Sequence, residues 1–502
     1  MANLLHDALF APLADGARDL LLLADGGRIT EGAFYAMIAR AANALAAQGV
    51  EPGDRVAAQV AKSPEALALY AAAVSAGAVF LPLNTAYAAD EIDYFLGNAT
   101  PKVFLCDPGS ERALAPVSAR HGARLLTLGG AGEGSFAAAM AGQAARFTPA
   151  PRGAGDLAAI LYTSGTTGRS KGAMLSHGNL LSNAEVLTSL WRFTAEDVLL
   201  HALPVFHTHG LFVATNIALL ARAQMIFLPG FDLDQVLRLL PQATTMMGVP
   251  TFYTRLLSDP RFTRDLAGHM RLFVSGSAPL PEETHRAFES RTGHRILERY
   301  GMTETNMSTS NPYDGERRAG TVGFPLPGVE LRIMAEGREV APGETGVIGV
   351  RGPNVFAGYW QMPEKTREEL GEDGWFVTGD LARRDAEGYV RIVGRAKDLV
   401  ITGGLNVYPK EVELLLDEAP GVLESAVIGL PHPDFGEAVF AVLARAPGAS
   451  PDPAAILAAL AGRIARFKQP KAAVVVNELP RNAMGKVQKN ILRETYRDWF
   501  AG

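Results

Sequence analysis

Eleven residues, "YTSGTTGRSKG" at 162–172, gather glycines, hydroxyls and two cations into one short stretch. Gly165 and Gly168 leave room for backbone N–H groups to approach phosphate oxygens. Thr163, Ser164, Thr166 and Thr167 add hydroxyl donors, and Arg169 and Lys171 add charge. The stretch does not spell G-x-x-x-x-G-K-[ST], so it is not the loop of ordinary P-loop nucleotidases. Glu304 closes "YGMTE" (300–304). A carboxylate beside a polyphosphate is repelled unless a divalent ion lies between, and Mg²⁺ suits that place. Lys486, in "NAMGKVQK" (482–489), follows a glycine that marks a loop tip. Its ammonium could neutralise negative charge that grows in a transition state.

The order of the motifs is more specific than any one of them. The first loop, "YGMTE", "TGD" (378–380), "GRAKD" (394–398) and "NAMGKVQK" follow one another along nearly the whole chain. Alone, "TGD" says almost nothing and "GRAKD" is a turn. As an ordered set they resemble the adenylate-forming superfamily of acyl-CoA synthetases, adenylation domains and luciferase. Within it, "HALPVFHTHGLF", "GVPTFYTRLL", "LERYGMTETNM" and "LPRNAMGKVQKNILRETY" are most similar to the ligases that join malonate, and often methylmalonate, to coenzyme A.

The resemblance implies ATP, Mg²⁺ and coenzyme A as the reaction's partners. It implies that 163–171 holds the β- and γ-phosphates, that Glu304 is the Mg²⁺ ligand and that Thr303 touches the α-phosphate. Tyr300, with Gly301 and Met302, would flank the adenine. Asp380 would receive the ribose hydroxyls, and Arg395 would also reach the ribose. Lys486 would be the catalytic lysine of adenylation; Lys489, three residues on, is the residue most easily confused with it. Lys397 would be the hinge of a mobile C-terminal domain, and Gly403 and Gly404 would line the pantetheine tunnel. His207 would face the acyl pocket.

A second substrate carboxylate in that pocket needs a partner, because an unpaired buried charge costs several kcal/mol. Arg255, one turn into the helix opened by Pro250, is the first choice for it, and Arg286, on the helix after Pro281, the second. Ser277 and Met302 would share the pocket, with Met307 packing beside them. "HTH" lacks a third ligand, so zinc is not expected, and His201 and His209 read as structural.

These residues need rigid supports. "LAAILYT", "MMGV", "RLFVSGS" and "RILERYGM" are short apolar runs, each entering a small-residue loop and most of them then a helix. That alternation predicts α/β layers with mainly parallel strands, whose loops meet at the carboxyl ends. Gly/Pro/Asp-punctuated runs over 320–395 predict a small β-rich unit, and mixed patterns after it a small α+β domain. The expected division is 1–396 and 397–502.

The chain has 502 residues, 48% hydrophobic and 20% charged, enough for more than one core. Its net charge of −6 argues against generic nucleic-acid or membrane binding. One cysteine, Cys106, excludes an intrachain disulfide and a thiolate metal cluster. Without a basic-then-apolar leader or an apolar run of about 18 residues, a cytoplasmic location is expected. The expected partners are small molecules (malonate, ATP, coenzyme A), with no nucleic acid or membrane, and a lysine acetyltransferase acting at Lys486 as a regulatory one. The competing readings are a CoA ligase for another small acid, an adenylation enzyme loading a carrier-protein thiol, and a non-catalytic relative.

Overall fold

Short, mostly apolar runs form most of the strands, and proline or hydroxyl caps start many of the helices. The computed structural model describes residues 3–163, 170–402, 405–433, 435–460, 463–464, 466–482 and 485–500. The chain divides into two compact units, Met1–Leu331 with Val350–Phe376, and Arg332–Gly349 with Val377–Gly502.

The first unit carries β1 (Asp19–Leu23), β2 (Arg28–Thr30), β3 (Arg55–Gln59), β4 (Val79–Pro82), β5 (Val103–Cys106), β6 (Arg124–Thr127), β7 (Leu157–Thr163) and β8 (Lys171–Ser176). It continues with β9 (Val198–His201), β10 (Gln224–Phe227), β11 (Thr245–Gly248), β12 (Leu272–Ser275), β13 (Leu297–Met302), β14 (Asn306–Ser310) and β15 (Phe324–Pro325). They form two sheets, ordered β6-β5-β3-β4-β7-β8 and β15-β14-β13-β12-β11-β9-β10-β1-β2. Neighbours from β3 to β7 are parallel, as are β9 to β13 with β1; β8 and β14 turn back antiparallel. β4, β5, β11 and β12 are buried at every position, as parallel strands covered on both faces must be.

The helices that matter to the site follow simple rules. α1 (Pro64–Ser75) has Ser63 as N-cap, accepting from the Ala66 N–H at 3.1 Å, and Pro64 in its first turn. Its Ala-rich surface is buried all round. α2 (His177–Leu190) is closed by a reciprocal Ser176–Asn179 cap. α3 (Pro250–Ser258) buries Phe252, Tyr253 and Leu256, and α4 (Glu282–Thr292) ends on the left-handed Gly293. α5 (Pro363–Glu369) completes the elements of this unit that bear on the site.

A five-stranded sheet, mostly in the second unit, contains β16 (Glu330–Ala335), β17 (Arg338–Glu339), β18 (Gly346–Arg351), β19 (Phe376–Arg384) and β20 (Val390–Arg395), in the order β17-β16-β18-β19-β20. It is the β-rich texture expected over 320–395. After it come β21 (Val400–Thr402), β22 (Leu405–Val407), α6 (Pro409–Asp417), β23 (Val422–His432), β24 (Gly436–Arg445), β25 (Ala472–Val476) and α7 (Lys489–Thr495). The sheet runs β22-β21-β24-β23, with β25 on β24. Its two faces pack against α6 with Ile456 and Leu460 on one side and Leu479 with Leu492 on the other.

The compact units group 332–349 and 377–396 with the C-terminal segment rather than with the first unit. Compactness is a matter of contacts and a hinge a matter of rotation, and the two need not share a boundary.

Candidate active site

β9, β11, β12 and β13 lie in register, with Met246 opposite Leu200, Gly248 opposite Ser275 and Ser275 opposite Glu298. Their carboxyl ends therefore open side by side. The chain leaves β9 at His201 and passes His207 before a π-helical segment that opens at His209. It leaves β12 through Gly276 and Ser277. Ser277 has φ +70°, a left-handed conformation that a non-glycine residue holds only at a cost. That turn aims its hydroxyl at His209, whose Nδ1 is 3.2 Å from Ser277 Oγ. The His209 N–H faces His207 Nδ1 at 3.4 Å. Burial first, and then the charges of Arg299, His207 and His201, hold the His209 imidazole well below its ordinary pKa.

Arg299 sits on β13 and is 3% exposed. Its Nε and Nη2 are buried without a hydrogen-bond partner, and no ion pair reaches it among the described residues. Burial pushes the guanidinium pKa down to about 9, with the Tyr253 phenol opposing the fall. The group lies against Gly276: a Cβ there would come within 2.3 Å of Arg299 Cζ. Tyr253 donates its hydroxyl to the Val274 carbonyl at 2.6 Å, tying α3 to β12. A buried cation without a counter-ion is expensive, and its natural partner is an anion that arrives with a ligand.

The two arginines expected to meet a second substrate carboxylate are both exposed. α3 turns Phe252, Tyr253 and Leu256 inward, so Arg255 falls on the exposed face, 5.9 Å over the Phe231 ring. Arg286 has a 72% exposed side chain, paired with Glu282 at 3.0 Å. Sequence reasoning passed over Arg299. The available signal was a charged pair, Glu298–Arg299, inside a strand flanked by apolar residues.

In the other sheet of the unit, Thr163 closes β7 and Lys171 opens β8, opposite each other in register. Ser164, Gly165, Thr166, Thr167, Gly168 and Arg169 lie outside the described residues. Lys171 Nζ makes two 3.1 Å bonds to Glu369 and stands 4.1 Å over the Tyr359 ring. Tyr359 is fixed because residues 357–360 pair with β8: Ala357 N to Met174 O and Trp360 N to Gly172 O, at 2.9 and 2.8 Å. Its hydroxyl is 2.6 Å from Glu369 and 3.0 Å from Glu304, which is 4% exposed. Burial would raise the Glu369 pKa, but bonds from Tyr359, Lys365 and Lys171 outweigh it and hold the group low. Burial and the two carboxylates push the phenol up.

A phenol has one proton to give and here faces two carboxylates. That donor set fits a cation at Glu304. Mg²⁺ needs only one or two protein carboxylates when phosphate oxygens complete its shell. Among the described residues no group of three or more His, Cys, Asp or Glu forms an all-protein metal cage.

Tyr300, Gly301 and Met302 end β13, and Thr303 begins its turn into β14. The turn is tight: a Cβ on Gly301 would lie 1.9 Å from Asn306 O. Met302 is half-buried and Met307 buried.

In the second unit, Asp380 on β19 and Arg395 on β20 are register partners, joined at 2.6 Å, with Asp380 4% exposed. Asp380 N donates to Thr378 Oγ1 at 3.0 Å. Burial, with Arg395 nearby, pushes Lys397 down to about 8. Its neighbour Asp398 is held by Arg493 at 2.6 Å. Lys486 projects its exposed side chain from a small turn. Asn482 N to Lys486 O (2.9 Å), Lys486 N to Asn482 Oδ1 (3.0 Å) and the left-handed Gly485 shape that turn. Lys489 is engaged by the buried Glu413 at 2.5 Å. Gly403 and Gly404 lie outside the described residues.

A buried acidic residue linked to Lys171 through Tyr359 and Glu369, a buried carboxylate paired with Arg395 and an exposed lysine in the second unit are the groups that the resemblance to adenylate-forming enzymes singles out. The chain belongs to the AMP-binding enzyme family: residues 13–360 match the AMP-binding enzyme and 411–486 the AMP-binding enzyme C-terminal domain. It is 36% identical over 452 residues to a malonate–CoA ligase of Arabidopsis thaliana, covering 84% of this chain and 74% of that one. It is 37% identical over 470 residues to an indoleacetate–CoA ligase of Aromatoleum aromaticum, covering 91% of each. The crystal structure of ATP-bound MatB from Rhodopseudomonas palustris is similar at 57% identity and a TM-score of 0.96, over 99% of both chains. The chain is thus an AMP-forming acid–CoA ligase that uses ATP, Mg²⁺ and coenzyme A. No helix among the described residues is long and apolar enough to cross a membrane.

Proposed function

We propose that the protein ligates malonate to coenzyme A through malonyl-adenylate. The observation that carries this reading is the buried, unpaired guanidinium of Arg299 beside His209 and Ser277. One malonate carboxylate reacts, and the other, a single carbon away, meets Arg299. This assigns to Arg299 the part first expected of Arg255 or Arg286.

The reacting carboxylate oxygen bonds to the α-phosphorus as the bond to pyrophosphate breaks. Lys171 and the loop before it hold the departing phosphates, and Thr303 contacts the α-phosphate. Mg²⁺, held by Glu304, supplies charge neutralisation when bound. Tyr300, Gly301 and Met302 border the adenine, while Asp380 and Arg395 take the ribose. Lys486 neutralises the charge that grows as the carboxylate attacks. Rotation at Lys397, between 1–396 and 397–502, then exchanges Lys486 for a pantetheine path past Gly403 and Gly404. The thiol sulfur bonds to the acyl carbon and AMP leaves. His207 borders the acyl group.

Pyrophosphate release across short mono- and dicarboxylic acids, with indoleacetate included, tests the assignment. Malonate should be preferred, with methylmalonate next. Equal use of butyrate or indoleacetate would overturn it.

A further inference from the structure

Lys62 lies between β3 and Ser63, the N-cap of α1, and none of the roles above uses it. The residue as a whole is half-buried, but its ammonium rests against the fully buried His201 and Leu203. Nζ is 2.9 Å from His201 Nδ1, 2.7 Å from His201 O and 2.9 Å from Leu203 O, and 4.3 Å from the centre of the Phe227 ring. No carboxylate pairs with it among the described residues. The contact joins the sheet of β3 to the sheet of β9 across 139 positions of sequence.

The protons can be placed by elimination. His201 Nε2 is 3.0 Å from the Gly210 carbonyl and 3.1 Å from Thr215 Oγ1. Thr215 Oγ1 donates its own proton to the Gly210 carbonyl at 2.9 Å. Nε2 is then the protonated ring nitrogen, since a carbonyl only accepts, and Nδ1 keeps its lone pair. All three partners of Lys62 are acceptors. A neutral amine has two N–H bonds and a lone pair, and would set that lone pair against one of them. An ammonium satisfies all three. Burial pulls the Lys62 pKa well below that of an ordinary lysine, but three short acceptor contacts and an aromatic face favour the charged form.

The chain Lys62–His201–Gly210 spans one loop. It grips the carbonyls at 201 and 203 at one end and the Gly210 carbonyl at the other. Pro204 and Gly210 are already so close that a Cβ on Gly210 would lie 1.9 Å from Pro204 O. Between these ends stand His207 and His209.

We propose that Lys62 is a positioning residue for acid recognition: its ammonium, acting through His201, clamps the 201–210 loop and so fixes His209 against Ser277 beside Arg299. This rests on the reading of that loop as part of the acid site. The test is the Lys62→Met enzyme, assayed with whichever acid the panel shows to be the best substrate, so that an error over malonate does not disguise the result. The KM for the acid should rise about tenfold to a hundredfold, since misplacement of about 1 Å costs that much. The KM for Mg·ATP should stay within about twofold, within the reach of a remote substitution. Equal rises in both, or no rise in either, would overturn the role of Lys62. A rise confined to ATP would instead overturn the assignment of the loop to the acid. Should the variant not fold, ¹⁵N NMR of wild-type enzyme at pH 8 decides. An exchange-protected Lys62 NH₃⁺ quartet is expected; a free-amine shift, or exchange as fast as that of surface lysines, overturns the clamp.

Discussion

Replacing Arg299 by methionine removes the charge and keeps much of the volume. On the proposed function, the second malonate carboxylate meets a guanidinium that is 3% exposed and otherwise unpaired. Truncating one partner of such a buried pair costs about 2–5 kcal/mol. Taking about 3 kcal/mol, kcat/KM for malonate falls roughly a hundredfold, at about 1.4 kcal/mol per factor of ten. A monocarboxylate behaves oppositely. Its alkyl end desolvates the guanidinium without pairing it, at about 1–3 kcal/mol, and methionine removes that penalty. Propionate or butyrate should therefore gain about five- to a hundredfold, so the malonate/butyrate preference swings by three orders of magnitude or so. Stability gives an independent check. Arg299 bears the cost of an uncompensated buried charge in the free enzyme, so the variant should melt no lower than the parent. The assay is pyrophosphate release with both acids, beside Arg255→Met as control. Arg255 is exposed, and its substitution should alter kcat/KM by no more than about twofold. An unchanged acid preference in Arg299→Met, with malonate use collapsing in Arg255→Met, would refute the reasoning.

Lys486→Ala should abolish adenylation yet retain thioester formation from supplied acyl-adenylate; comparable losses in both half-reactions would argue against exchange of two poses. Glu304→Gln should raise the Mg²⁺ requirement for ATP use and leave the KM for coenzyme A nearly unchanged, and an unaltered Mg²⁺ titration at full activity would remove Glu304 from the site. Asp417 tests the electrostatics of the second unit. Burial raises its pKa from 3.8 to about 6, against the opposing effects of Lys410 and of the Ser425 hydroxyl at 2.7 Å. The native state then holds a proton that the unfolded state has lost, so stability falls as pH rises from about 4 to 6 and stays lower above. Asp417→Asn should gain about 1–3 kcal/mol at pH 8 and almost nothing at pH 4, measured by denaturant melts; an equal effect at both would refute the shift.

The strands entering the site were legible because parallel strands must be apolar throughout and their loops must be small. "LAAILYT" is β7 to the residue, "RLFVSGS" contains β12, and Pro250 and Gly293 bound the helices they were expected to bound. The pairing of Asp380 with Arg395 was not legible, since nothing local sets the register of β19 against β20. Arg255 illustrates a different limit. Proline at the start of α3 and apolar residues at 252, 253 and 256 already fix the helix phase and turn 255 outward. That phase was in the sequence but was outweighed by proximity to the strand end. Arg299 was obscured because strand periodicity normally assigns a charged residue to solvent. Only the two-sided burial of β13 shows that a charge there has nowhere to go.

Gly276 and Arg299 cannot vary independently. The φ of Gly276 lies outside the left-handed range, so any residue could adopt its backbone; what it lacks is space, with Arg299 Cζ 2.3 Å from where a Cβ would stand. Any larger residue at 276 evicts the guanidinium, whereas losing the guanidinium frees 276. A route to a new acid therefore has a direction: position 299 changes first, and 276 diversifies afterwards. A mutant library built at 276 alone should return mostly dead clones, and the same library on an Arg299→Met background should return active ones with altered diets. Homologues that keep arginine at 299 should show glycine at 276 almost without exception, a covariation by which acid preference could be sorted across the family before any enzyme is purified.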